Sequence, residues 1–281
     1  ASDGDQGRAE DDTDGAVVVR KPRCAASAVV CQRVPLATCC VYAAWSFIVI
    51  LWDEAYPLWA LAAVEDGGLA FNTSDIGTSL SVMGTCLLAF QLAAYPPLAR
   101  RLGALRCMRI GMLVAAPAMF ALPFVNLLHN NATLTWVGLL LTIAAKHTSV
   151  LAVFTSNFLV INNSVPRSRR GAVNGLAMMV ASIGKALGPV VGSVLFAWSL
   201  SDSDLPFPLD YHLVFALCGL LSLLLLAATF RLPAWLDHPL HEAPEKGADR
   251  VAPAAVERIE RGGVEGEEEE EEEEEAKAEA E

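Results

Sequence analysis

Residues 165–198 read VPRSRRGAVNGLAMMVASIGKALGPVVGSVLFAW, and the reading of this stretch decides the fold. Three arginines, Arg167, Arg169 and Arg170, open it. An apolar run rich in small residues follows, long enough at about 1.5 Å per residue to cross roughly 30 Å of hydrocarbon. At about 100° per residue, Gly171, Asn174, Ala181, Ser182, Lys185, Gly188, Pro189 and Gly192 fall on one helical face. Leu176, Val180, Ile183, Leu187, Val191 and Val194 fall on the other. The second face suits lipid. The first is small, polar and charged, so it calls for a packed neighbour or a water-filled cavity.

The flanking chain is of the same kind. It is 54% hydrophobic with a mean hydropathy of +0.41, too apolar for an ordinary soluble domain. Apolar runs lie near 34–52 (continuing through Asp53-Glu54 into 55–64), 76–95, 108–128, 134–161, 172–198 and 213–230. These predict six membrane-spanning helices, an all-α integral membrane protein set in the lipid bilayer. The net charge of −12 belongs to the ends, because residues 34–231 carry ten bases against eight acids. Residues 1–33 read as a disordered cytosolic linker or N-terminal segment with a basic patch at Arg20, Lys21, Arg23 and Arg33. Residues 232–281 read as a disordered acidic cytosolic tail, ending in the self-repelling run Glu267–Glu275.

The loops alternate in charge. Arg100, Arg101, Arg106 and Arg109 join the second and third runs, Arg167, Arg169 and Arg170 the fourth and fifth, and Arg231 follows the sixth. The intervening loops hold Glu65, Asp66, Asp75, Asp202, Asp204 and Asp210 and neither Lys nor Arg. The positive-inside rule then places both termini in the cytosol. Two glycosylation-type triplets, at Asn72 and Asn131, fall on the opposite side.

Charged and amide side chains inside the runs are the candidate functional residues. A lysine at mid-membrane costs about 2.5–3.5 kcal/mol on insertion scales, so it is seldom idle. Lys146 lies in the fourth run, sharing a face with Thr142, Ser149, Val153 and Asn157, and Lys185 lies in the fifth. Asp53 and Glu54 close the apolar part of the first run, and Gln91 lies in the second. Lys146, Lys185, Asn157 and Gln91 are expected to line a cavity, with Asp53 or Glu54 as ionic partner or proton carrier. The blander reading makes the lysines members of fixed, helix-orienting ion pairs. His147 points about 100° away from Lys146, toward another helix. Arg170 and Gly171, where the fifth run enters the bilayer, are candidate gating residues, the glycine permitting close backbone approach.

Other chemistries lack their residues. There is no H-E-x-x-H and no G-x-S-x-G, so an enzyme is not expected. The seven cysteines have no zinc-site spacing and read as small packing residues, so neither a metal nor another cofactor is called for. His238 and His241, near Glu242 and Glu245, read as a solvated tail. The arginines flank membrane spans and lack aromatic interleaving, which argues against nucleic acid.

Several blocks carry a family resemblance. They are Asp53-Glu54-x-x-Pro57-Leu58-Trp59-Ala60, Phe90-Gln91 with Tyr95-Pro96-Pro97-Leu98, and Val165-Pro166-x-x-x-Arg170-Gly171-Ala172-x-Asn174-Gly175. Lys185-Ala186-x-Gly188-Pro189 and Phe196-x-Trp198 complete them. The chain resembles the C-terminal six-helix half of a major facilitator superfamily transporter, near the zinc-induced-facilitator-like group of plants and algae. It departs from the superfamily's G-x-x-x-D-R-x-G-R-K motif: Arg101 and Gly103 match, while Pro96, Arg100 and Ala104 replace its Gly, Asp and basic residue. The resemblance implies half of a twelve-helix fold with 3+3 inverted repeats. It also implies a proton-coupled carrier working by alternating access on a small organic ion or metal chelate, at a vacuolar or plasma membrane. The partner is then the missing N-terminal six-helix half or a second copy. The alternative is a non-transporting six-span scaffold or sensor with structural lysines.

Overall fold

The computed structural model describes residues 33–201 and 205–238. The basic patch at Arg20, Lys21 and Arg23, the acids Asp202 and Asp204, and the tail from 239 onward lie outside the described residues. Among the described residues six helices carry the fold. Helix α1 is Arg33–Leu61. Helix α2 runs Thr73–Ala89, passes through a π-helical turn at Phe90–Ala94 and continues as Tyr95–Leu102. Helix α3 is Ala104–Ala121, tightening to a 3-10 turn at Leu122–Leu128. Helix α4 is Ala132–Asn163, α5 is Arg170–Ser199 and α6 is Leu213–Thr229. The first five are long and apolar enough to cross a bilayer, whereas α6, with 17 residues, is shorter.

The helices form where the apolar periodicity places them, and prolines explain their irregularities. Pro96 and Pro97 supply no backbone N–H, so the preceding ladder widens into the π turn that holds Gln91. Pro123 opens the 3-10 end of α3. Pro57 lies inside α1 and cannot donate to the carbonyl of Asp53, yet the helix runs on to Leu61. Asp53 and Glu54 therefore stand within the helix, two turns before its end, as the continuation of the first apolar run into 55–64 required. Asn72 caps α2 in a capping box with Asp75, and Asn131 caps α4 through Thr133 and Leu134.

Trp45, Trp52 and Trp59 recur every seventh residue of α1 and are wholly buried, so α1 forms the axis of the core. It packs on α5, α6 and α4, while α3 packs on α4 and α6 and α2 packs on α4. Exchanging α1 with α4, α2 with α5 and α3 with α6 maps this set of neighbours onto itself. The α1–α5 pair becomes α4–α2, α3–α4 becomes α6–α1, and α3–α6 is unchanged. That is the contact pattern of two three-helix repeats.

The small face of α5 finds its packed neighbour in α1. A Cβ at Gly184 would lie 3.2 Å from Cβ of Phe47, and one at Gly188 only 2.5 Å from Cγ2 of Ile50. At Gly192 it would lie 3.1 Å from the carbonyl oxygen of Leu51. Gly184, Gly188 and Gly192 are thus a small-xxx-small-xxx-small seam that brings two backbones together.

The folded body also runs past residue 231, the expected end of the membrane domain. Leu232 and Leu236 join the hydrophobic core, and a 3-10 turn spans Ala234–Asp237. The carboxylate of Asp237 accepts from the backbone N–H of Leu105 at 2.6 Å, capping α3. Asn163 at the end of α4 donates to the carbonyl of Leu236 at 2.8 Å. Gly103, with φ +83°, makes the turn between α2 and α3 directly beneath Asp237.

Candidate functional site

The centre of the bundle holds a charged cluster built from α1 and α4. Lys146 Nζ donates to Asp53 Oδ1 at 2.5 Å. The lysine is fully buried, while the aspartate side chain keeps 37% of its exposure. His147 joins them: its Nε2 lies 3.2 Å from Lys146 Nζ and 3.5 Å from Asp53 Oδ1. Its Nδ1 lies 3.0 Å from the carbonyl oxygen of Ile143. That oxygen can only accept, so in the neutral ring Nδ1 carries the proton and Nε2 offers a lone pair to the lysine. Adjacent helical residues diverge by about 100°, but here both side chains bend toward one carboxylate on the facing helix. His147 therefore belongs to the cluster and does not face away from it.

Aromatic residues enclose the charges. Lys146 Nζ sits 4.0 Å from the centroid of Trp52, a cation–π contact that offsets part of the desolvation cost. Trp52 Nε1 donates to the carbonyl of Met119 at 3.3 Å. Its ring stacks on Tyr56 and meets His147 and Phe215 edge-on. Among the described residues this is the one bridge between a lysine or arginine and a carboxylate.

The face of α4 carrying Lys146, Ser149, Val153 and Asn157 is packed within the bundle. Among the described residues, Lys146 and Asn157 lie in the interior rather than along the walls of an open cavity. The counter-charge from Asp53 is what makes the burial of Lys146 tolerable. Asn157 is 1% exposed, and neither atom of its amide has a partner. Gln91 is half-buried, with its Oε1 also unpartnered. Close by, Tyr95 Oη and Ser156 Oγ are hydrogen-bonded at 3.0 Å, joining the foot of the π turn to α4 beside Asn157.

The remaining candidates stand apart from the cluster. Lys185 is exposed and has no acidic partner among the described residues. By helical angle it borders the glycine seam on one side and Ser182 and Pro189 on the other. Glu54 is half-buried and lies toward α5, its Cβ 3.7 Å from where a Gly192 side chain would begin. Arg170 donates through Nε to the carbonyl of Asn162 at 3.3 Å, and Asn174 donates to the Asn162 side chain at 2.9 Å. Gly171 has nothing within 4 Å of a Cβ position. The close approach expected of Gly171 is therefore not made among the described residues; Gly184, Gly188 and Gly192 make one instead. Their four-residue spacing was the sequence signal for it. No group of three or more His, Cys, Asp or Glu side chains able to hold a metal occurs among the described residues.

Comparison with known proteins agrees with this architecture. The sequence profile described as Major Facilitator Superfamily matches residues 34–264. A probable peptide/nitrate transporter of Arabidopsis thaliana is 34% identical over 206 residues, covering 71% of this chain and 42% of that protein. The Arabidopsis protein Zinc Induced Facilitator 1 is 31% identical, over 64% of this chain and 37% of its own length. Zinc Induced Facilitator-like 1 of the same plant is 32% identical, over 68% and 40%. The chain thus spans about two fifths of the length of the curated relatives it matches. No solved structure gives a significant match. An all-helical bundle among the described residues, a family match over most of the chain and a relative named as a transporter lead to one family: the chain belongs to the Major Facilitator Superfamily.

Proposed function

We propose that this chain is the C-terminal half of a twelve-helix secondary transporter, proton-coupled and working by alternating access. All six helices span the membrane, with both ends of the bundle on the cytosolic side of a vacuolar or plasma membrane. The repeat-like contact pattern and the alternation of basic and acidic loops support this reading. Residues 1–33 act as the linker from a preceding six-helix half, and the segment from 239 onward is an acidic cytosolic tail. Relatives more than twice the length of their matched segments support the existence of that other half.

The observation that carries the coupling is the Asp53–Lys146 pair. While Asp53 is ionised, the pair holds α1 to α4. A proton on Asp53 cancels the attraction and leaves a buried lysine without its counter-charge, a state the bundle relieves by moving the helices or releasing the lysine's proton to His147. The lysine is neutralised within the half, so it adds little net field to the pathway. Lys185 is the lysine within the helices that has no acidic partner among the described residues, and it selects a small organic anion, a zwitterion or a carboxylate-bearing metal chelate over a bare divalent cation. Gln91 and Asn157 hold unpartnered amide atoms inside the bundle, groups that a helix movement would expose to the substrate.

The test uses the full-length protein in vesicles with an imposed pH gradient. Asp53→Asn should abolish gradient-driven uptake of an organic anion while sparing substrate exchange at equal pH. Lys185→Gln should weaken both. Gradient-driven uptake by Asp53→Asn at the native rate would refute proton coupling at this site.

A further inference from the structure

The outer faces of the bundle differ in chemistry. The open faces of α2 and α5 mix small residues, among them Gly77, Gly84, Gly171 and Gly175, each with empty space above it, with large ones such as Leu88 and Ile183. The exposed face of α3 presents Ile110, Leu113 and Val114, and that of α6 presents Leu220, Leu223 and Leu224. Large aliphatic side chains standing free on two adjacent helices make a lipid surface. Both stripes end in arginine at the same end of the bundle. Arg106 is exposed one turn before Ile110, and Arg231 is exposed immediately after Phe230 at the end of α6.

Arg109 ties the two ends together. Its Nη2 donates to the carbonyl of Thr229 at 2.8 Å, and its guanidinium lies 4.6 Å from the centroid of Phe230. Its Nε is buried without a partner. Among the described residues, no carboxylate lies within ion-pair distance of Arg106, Arg109 or Arg231. Asp237, which follows Arg231 in the chain, is engaged at the N-terminus of α3. Three arginines thus stand at the end of the bundle where the hydrocarbon-facing stripes stop, none of them ion-paired among the described residues.

We propose that this junction of α3 and α6 is a binding site for an anionic phospholipid, its phosphate held by Arg106 and Arg231 and its acyl chains lying along the two aliphatic stripes. A phospholipid supplies both halves of the match, because its phosphate sits at the level where its hydrocarbon begins. Arg109 is the positioning residue: its bonds to Thr229 and Phe230 hold the α6 end against α3 and fix the spacing of the other two arginines. The Arg106 and Arg231 side chains make no hydrogen bond within the described residues, so their substitution leaves the packing intact. The site is independent of the proton-coupling reading.

Native mass spectrometry of the detergent-solubilised full-length protein tests the site with phosphatidylserine and phosphatidylcholine of matched acyl chains. The native protein should retain phosphatidylserine over phosphatidylcholine by about fivefold or more, the scale of one basic residue at an anionic surface. In Arg106→Gln/Arg231→Gln, with melting temperature unchanged, the preference should vanish. Equal retention of the two lipids by the native protein, or a preserved preference in the double variant, overturns the proposal. So does complete displacement of phosphatidylserine by inorganic phosphate, which would mark a simple anion site with no use for the acyl chains.

Discussion

Asp53 and Lys146 stand on α1 and α4, the first helices of the two three-helix repeats, and their 2.5 Å ion pair links the repeats at the centre of the bundle. Elsewhere the repeats meet mainly through apolar packing, which is tolerant of sliding, with neutral or one-sided hydrogen bonds such as Tyr95–Ser156 and Arg109–Thr229 toward its edges. A buried charge pair is not: it has one low-energy arrangement, and each charge is costly without the other.

Neutralising either partner should therefore destabilise the bundle by about 3–5 kcal/mol, and exchanging them should restore most of the loss. Melting curves of Asp53→Asn, Lys146→Gln and the exchanged Asp53→Lys/Lys146→Asp protein form the test. An exchanged protein that melts no higher than the single variants would place the stabilisation outside the pair.

Two glycines on α5 should respond in opposite ways. Gly188→Leu drives a side chain into Ile50, and overpacking of that kind costs about 1–3 kcal/mol, so yield and melting temperature should fall. Gly171→Leu meets open space, so it should insert and melt normally while transport falls, because in the proposed twelve-helix transporter the open face of α5 is where the other half closes. Normal transport by Gly171→Leu would show that nothing docks there.

Asn157→Leu replaces an interior amide lacking partners with a hydrocarbon of similar size. Stability should be unchanged or higher, since the unsatisfied amide costs about 1–3 kcal/mol, while substrate uptake should fall. A loss of stability would mean that the amide is satisfied by ordered water in the native bundle.

Asn131 should carry no glycan despite its triplet, because its side chain accepts from Thr133 and Leu134 at the start of α4. Endoglycosidase treatment should leave the mass unchanged. Asn131→Ala should cost about 1 kcal/mol of stability as a lost cap.

The sequence was legible wherever one face of a helix meets one kind of surroundings. On α5 periodicity placed Gly188 and Gly192 on the side that meets α1 and Ile183, Leu187 and Val194 on an exposed side, while Gly171, Ser182 and Lys185 of the same small face stand open; Lys146 drew attention by its depth alone. Its partner was harder to assign. Asp53 and Glu54 are adjacent, and only the rotation of α1 against α4 selects Asp53 for the lysine while Glu54 turns toward α5. The position of His147 was missed because helical angle describes where a side chain leaves the backbone, not where a facing carboxylate draws it. The turn holding Asp237 was missed for a simpler reason: a short polar-and-apolar stretch after the last span carries no period, and Leu236 has value only against the underside of α3 and α4.

Pro57 has a mechanical consequence for the charge pair. The carbonyl it leaves without a helical donor belongs to Asp53 itself, so α1 has its weakest rung at the residue that carries the charge. The segment from Arg33 to Asp53 and the segment beyond Pro57 form the two arms of a lever, with the ionised carboxylate clamped at the fulcrum. Releasing that clamp frees the arms to tilt at the point where tilting is cheapest. Pro57→Ala would reinstate the rung and stiffen the lever without touching any charge.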